Sequence, residues 1–142
     1  MTIRTGIGYD VHRFVSGRPL MLGGVQIFFD RGLEGHSDAD VLLHAICDAI
    51  LGAAALGDIG QHFPPGVPAY LNANSLDLLI QVRTMLDDAG FEVVNIDASV
   101  ICEEPKIGPH AIAMQVAIAK AMRRQSPSPS YFRARMASST NA

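Results

Sequence analysis

The run VLLHAICDAILGAAAL, from Val41 to Leu56, constrains the fold more than any other part of the chain. Its apolar residues Val41, Leu42, Ala45, Ile46, Ala49 and Ile50 recur every three or four positions, the spacing of one helix face. His44 and Asp48 interrupt the run, and sixteen residues are too few to cross a bilayer comfortably, so the pattern predicts a core helix and not a membrane span. Ser37 or Asp38 is placed to cap it, and it should end near Gly57. With 142 residues, 49% of them apolar, the chain can close one core around such a helix, which leaves room for a single domain.

Other elements arrange themselves around that helix. Arg4 to His12 and Leu20 to Phe29 read as two strands joined through Ser16-Gly17-Arg18-Pro19, a turn composition that predicts a hairpin. Gly57 to Asn72 carries three prolines and three glycines and is longer than a plain connector, so it reads as a ligand loop. Asn74 or Ser75 caps a second helix with Leu76, Leu79, Ile80, Met85 and Leu86 on its apolar face, and Gly90 is placed to stop it. Phe91 to Ile101 alternates Val94, Ile96, Ala98 and Val100 with Asn95, Asp97 and Ser99, a strand with one covered face. Pro109 opens a third helix to about Met122. The order predicts an α+β fold, a small mixed sheet with helices packed on one face.

Charge and cysteine content exclude several classes. The net charge is −3, every Asp and Glu lies at or before Glu104, and six Lys and Arg follow from Lys106 onward. No aromatic-basic interleaving accompanies that basic end, so nucleic acid is not an expected partner, and neither is a membrane. Cys47 and Cys102 have no metal-type pairing and read as small buried residues. The first twelve residues lack the basic-then-apolar order of an export signal, so a cytoplasmic location is expected.

Chemistry gathers at four places. In Asp10-Val11-His12 an extended backbone turns positions i and i+2 to one side, where they can share a cation, while Val11 points into the core. His44 offers a third ligand, and two histidines with one carboxylate leave a position open on zinc, the pattern of a catalytic site. Asp40 and Asp48, one turn away on either side, are candidates to orient its ring. The bland reading, a solvated helix histidine and a chance D-x-H, stands beside it. Gly35-His36-Ser37-Asp38 precedes a helix whose free amides favour a phosphate, or simply caps it. Gly57-Asp58-Ile59-Gly60 either binds a hydroxylated ligand through Asp58 or is only a turn. Glu103-Glu104-Pro105-Lys106 ends a strand, where loops often carry ligand contacts.

Taken together, G-Y-D-V-H at 8–12, G-H-S-D-A-D-V-L-L-H-A-I-C-D-A-I-L-G-A-A-A-L-G-D-I-G-Q-H-F-P from Gly35 to Pro64, and P-K-I-G-P-H at 105–110 resemble the 2-C-methyl-D-erythritol 2,4-cyclodiphosphate synthase family of the non-mevalonate isoprenoid pathway. The likeness runs from residue 1 to about 122. It implies that Asp10, His12 and His44 bind a divalent metal, usually zinc, and that magnesium or manganese bridges a substrate diphosphate. It implies substrate contacts at Asp10, Val11, His12, His36, Ser37, Asp58, Ile59, Gly60, Phe63, Pro64, Cys102, Glu103, Glu104, Pro105, Lys106, Ile107 and Gly108, with His36 the catalytic stabiliser of the transition state. The implied reaction is attack of the 2-phosphate of 4-diphosphocytidyl-2-C-methyl-D-erythritol 2-phosphate on its own β-phosphorus, releasing CMP. A homotrimer with sites between subunits is implied as well, in a bacterial cytoplasm or a plastid stroma.

Two stretches depart from the family pattern. Pro65-Gly66-Val67 lacks the acid expected after Phe-Pro. After Arg124, where the family has a strand with a Lys-Ala-Thr-Thr-type motif and then a final helix, residues 125–142 form a Ser/Pro/Arg-rich tail in which Ser138 to Asn141 is only weakly similar to that motif. The expected division is therefore a synthase-like domain over 1–124 and a divergent tail over 125–142, leaving a sheet edge uncovered. A catalytically impaired subunit that still binds metal and cytidine nucleotides is the alternative function.

Overall fold

The computed structural model describes residues 2–123 and the backbone of 133–139. Four short strands open it: β1 (Phe14–Ser16), β2 (Leu20–Leu22), β3 (Val25–Ile27) and β4 (Arg31–Leu33). They pair antiparallel as β1 with β4 and β2 with β3. Gly23 and Gly24, with φ of 60° and 76°, form the two-residue β2–β3 turn that only residues tolerant of positive φ can make. The hairpin expected between Arg4–His12 and Leu20–Phe29 is thus replaced by one hairpin, β2–β3, and an antiparallel pair, β1–β4, that encloses it. Leu20–Phe29 folds back on itself at the glycine pair, and Arg4–His12 has no ladder partner among the described residues.

Residues 4–12 lie instead across the first helix, α1 (Val41–Ala54). Gly6 and Gly8 make this possible, because a Cβ at either position would collide with the Ala49 or Ala45 carbonyl. Once even-numbered positions face α1, the pleat turns odd-numbered ones outward: Ile7 is 92%, Tyr9 83% and Val11 72% exposed. Val11 therefore does not point into the core, contrary to the expectation from the sequence.

Asp40 caps α1 in place of Ser37 or Asp38, accepting from the Leu43 amide. The helix ends at Ala54, earlier than Gly57, because Ala55 adopts a left-handed conformation and the Leu56 amide reaches back to the Leu51 carbonyl. The following loop contains a short helix, α2 (Ile59–His62), and a 3₁₀ turn, Pro68–Tyr70. α3 (Ser75–Asp88) is capped by Asn74, and Gly90 follows it at φ 78°, both as expected. β5 (Asn95–Ile101) alternates half-buried Ile96, Ala98 and Val100 with exposed neighbours. Pro109 sits in a 3₁₀ turn, Gly108–His110, that runs into α4 (Ala111–Ala121).

β6 (Arg133–Ser139) pairs with β5 in parallel, Asn95 opposite Arg133 and Ile101 opposite Ser139. A parallel pair needs a crossover, and α4 lies in it. The expectation of a strandless tail is corrected here: part of 125–142 does form a strand along one edge of β5. The threonine-like residues Thr140 and Asn141 lie outside the described residues. The core fills the space among α1, α3, α4 and the β2–β3 hairpin, where Leu20, Ile27, Leu43, Leu51, Leu79, Val82, Met114 and Ile118 are all buried. At about 1.5–3 kcal/mol for each such side chain, this cluster is the main favourable contribution to holding α1 in place.

Candidate metal centre

Asp10 and His12 come from the extended segment and His44 from the first half of α1, and packing at Gly6 and Gly8 brings them together. Asp10 Oδ2 lies 3.0 Å from His12 Nε2 and 3.3 Å from His44 Nδ1. One ligand atom from each residue fits within a 4.8 Å span, close enough to share one ion, and the two rings are 5.6 Å apart.

Each ring is held from behind. His12 Nδ1 lies 2.5 Å from the Glu34 carbonyl, so it donates there and leaves the Nε2 lone pair facing Asp10. Gly35 lets that ring lie against the main chain, since a Cβ would come 3.2 Å from it and 2.8 Å from the Ala39 Cβ. His44 Nε2 sits between Ser37 Oγ and Ser75 Oγ, 3.1 Å from each. The sequence offered Asp40 and Asp48 as partners for this ring, but both are used elsewhere. Asp40 accepts from the Gly23, Gly24 and Leu43 amides, and Asp48 accepts from the Ile59 amide at 2.9 Å. The sequence marks Ser75 only as a candidate cap at the start of α3, with no signal that it reaches His44.

Burial raises the pKa of Asp10, but the His44 hydrogen bond and the charges of His12 and His44 outweigh it and hold the carboxyl below its usual value. A carboxylate thus faces two ring nitrogens whose outer sides are already engaged. Nitrogen lone pairs and a carboxylate oxygen at this spacing repel unless a proton or a cation lies between them. The donor set, one oxygen and two imidazole nitrogens with a side left open, fits a zinc-type ion.

The other expected site residues are placed as follows. Ser37 is buried with its hydroxyl toward His44, and the carbonyl of His36 accepts from the Asn72 amide at 2.9 Å. Arg18 steadies this loop by donating to the Gly35 and Ser37 carbonyls. Asp58 caps α2 and accepts from the Gln61 amide and side chain, both at 2.9 Å, with Ile59 and Gly60 following it in the helix. Phe63 is buried edge-on against Tyr70 at 5.5 Å, with Pro64 next to it. Cys102, Glu103, Glu104, Pro105 and Lys106 turn away from the end of β5, where the Cys102 thiol donates to the Pro105 carbonyl, and Ile107 is buried before Gly108.

Residues 3–128 match the model of the YgbB family. A relative from Desulfatibacillum aliphaticivorans, named 2-C-methyl-D-erythritol 2,4-cyclodiphosphate synthase, is 58% identical over 120 residues, which is 84% of this chain and 77% of the relative. Among solved structures, the bifunctional IspDF from Campylobacter jejuni superposes with a TM-score of 0.84 at 42% identity; the match covers 99% of this chain but 37% of that longer one. A CDP-bound 2C-methyl-D-erythritol-2,4-cyclodiphosphate synthase superposes at 0.81 with 32% identity, covering 96% of this chain and 89% of its own. On these matches the chain belongs to the YgbB family.

Proposed function

We propose that the chain converts 4-diphosphocytidyl-2-C-methyl-D-erythritol 2-phosphate to the 2,4-cyclodiphosphate and CMP. The observation that carries this is the convergence of Asp10, His12 and His44 on one small space, in a chain whose relatives bear that enzyme's name. The nucleophile and the leaving group belong to one substrate molecule, so the protein has to fold that molecule and hold it in line. Zinc on Asp10, His12 and His44, with magnesium or manganese at the diphosphate, would supply Lewis-acid neutralisation of phosphoryl charge.

The chain's own residues divide the remaining work. His36 donates to the phosphoryl oxygens as negative charge builds on them, from a loop fixed by Arg18 and by the Asn72 amide. Asp58, Ile59 and Gly60 hold the erythritol hydroxyls, Phe63 and Pro64 border them, and Cys102 to Gly108 receive the cytidine. A CDP-bound relative of the same fold supports a cytidine nucleotide as the ligand. The exposed apolar row Ile3, Ile7, Tyr9 and Val11 supports a homotrimer, in which such a row would be covered. No helix among the described residues is long and apolar enough to cross a membrane, and we place the reaction in the cytoplasm.

The test is CMP release from the substrate with and without divalent metal, in the unaltered chain and in His44→Ala. Release that requires metal and drops at least 100-fold in His44→Ala is expected. Equal turnover in the two proteins would refute the reading.

A further inference from the structure

We propose that Asp38 and Ser75 are positioning residues for the metal centre: together they fix the direction of the hydrogen bond behind His44 and so reserve its Nδ1 for the cation. The inference rests on the metal-site reading above. Asp38 Oδ2 accepts from the Ser75 amide at 2.9 Å, and Asp38 Oδ1 accepts from the Ser75 hydroxyl. A hydroxyl has one proton, and a carboxylate can only accept. With that proton committed to Asp38, Ser75 Oγ can offer only lone pairs to His44 Nε2, 3.1 Å away.

His44 Nε2 must then be the donor, and the coordinating lone pair falls on Nδ1, the atom that faces Asp10 at 3.3 Å. Ser37 cannot set this direction. Its oxygen also lies 3.1 Å from Nε2 and accepts from the Ala39 amide at 3.2 Å, but among the described residues no carboxylate holds its proton, so it serves either tautomer. Ser75 is fully buried, which keeps water from substituting for it. The relay also explains how α3, remote in sequence, is tied to a site built on α1: its first residue completes the support of His44.

The experiment measures zinc affinity by chelator competition for the full chain and for Ser75→Ala, Asp38→Ala and the double variant. NMR of the zinc-loaded, ¹⁵N-labelled proteins locates the His44 ring proton. Each single change is expected to weaken zinc binding about 10- to 100-fold. The double variant should be no weaker than Ser75→Ala, because Asp38 acts through Ser75. The zinc-loaded full chain should show a protected Nε2–H on His44, and Asp38→Ala should shift and deprotect it without touching the ring. A proton on Nδ1, an unchanged affinity in Asp38→Ala, or additive losses in the double variant would each overturn the relay. If Asp38→Ala does not fold, the ring proton of the full chain and its response to Ser75→Ala decide. Failure of the unaltered chain to bind zinc would sink the metal reading and the relay together, whereas zinc binding that ignores both residues would sink only the relay.

Discussion

Asp40 links the β2–β3 turn to α1, and removing its carboxylate tests whether that link holds His44 in place. The side chain is fully buried and accepts from the Gly23 amide at 2.9 Å, the Gly24 amide at 2.7 Å and the Leu43 amide at 3.0 Å. Asp40→Ala removes a helix cap worth about 1 kcal/mol. It also strands two turn amides at about 1–3 kcal/mol each, with Gly24 at the low end because water can partly reach it. A net loss of about 3–5 kcal/mol is expected, a large part of the roughly 5–15 kcal/mol that such a domain has. At a urea slope of about 2 kcal/mol/M, the midpoint should fall by about 1.5–2.5 M with the slope unchanged. A loss under about 1 kcal/mol would mean that the three amides find water, and the argument from burial would fail.

The same carboxylate has a pH signature. Burial pushes its pKa up, against the pull of the Gly24, Leu43 and Gly23 amides and with a smaller push from Asp38. An acid whose folded pKa lies above its unfolded value binds its proton more tightly when folded. Stability from this group therefore falls as pH rises from about 3.9 through the raised folded value. Asp40→Asn cannot titrate, so the full chain's stability relative to this variant should shrink as pH rises through that window. A relative stability that grows instead would show that the amides dominate over burial.

Three further outcomes follow from the geometry. Gly8→Ala should cost about 1–3 kcal/mol and weaken zinc binding at least tenfold, because its Cβ would lift Asp10 and His12 off α1; Gly17→Ala, whose new Cβ meets nothing, should leave zinc affinity unchanged by the same chelator titration. Asp10 has a depressed pKa, so its contribution to the metal-free protein is present above about pH 3.9 and lost as pH falls through its folded value; in Asp10→Asn this acid limb of the stability curve should flatten. Cys47 is 1% exposed and its thiol is pushed up to about 12, so iodoacetamide at pH 8 should modify it only as fast as the chain unfolds, as read by mass spectrometry.

The elements visible in the sequence were those whose signals are local. The apolar spacing of α1, the Asn74 cap and Gly90 stop of α3, and the alternation in β5 each depend on residues within a few positions of one another. The sequence pointed to Ser37 or Asp38 as the cap of α1 and not to Asp40, because serine and aspartate cap about equally well and local reading cannot rank neighbouring candidates. Asp40 takes the role because its oxygens also meet the Gly23 and Gly24 amides, while Asp38 is drawn to Ser75. β6 was hidden for a related reason. A strand that pairs in parallel across an intervening helix has its partner far away in the chain, and a Ser/Pro/Arg-rich composition argues against it.

The metal centre shows the same limit at the scale of single atoms. The i, i+2 rule correctly put Asp10 and His12 on one side of the chain, but it could not say which side faced the core. Gly6 and Gly8 decide that, and a reader of the sequence could have used them: in an extended segment, glycines at alternate positions mark the face that another backbone approaches. Asp10 and His12 share their parity, so all four belong to the helix-facing side and Val11 to the other. The direction of the bonds behind His44 had no comparable signal. It depends on which lone pair meets which proton, and that is set only when Ser75, brought by α3 from 31 positions away, arrives between Asp38 and the ring.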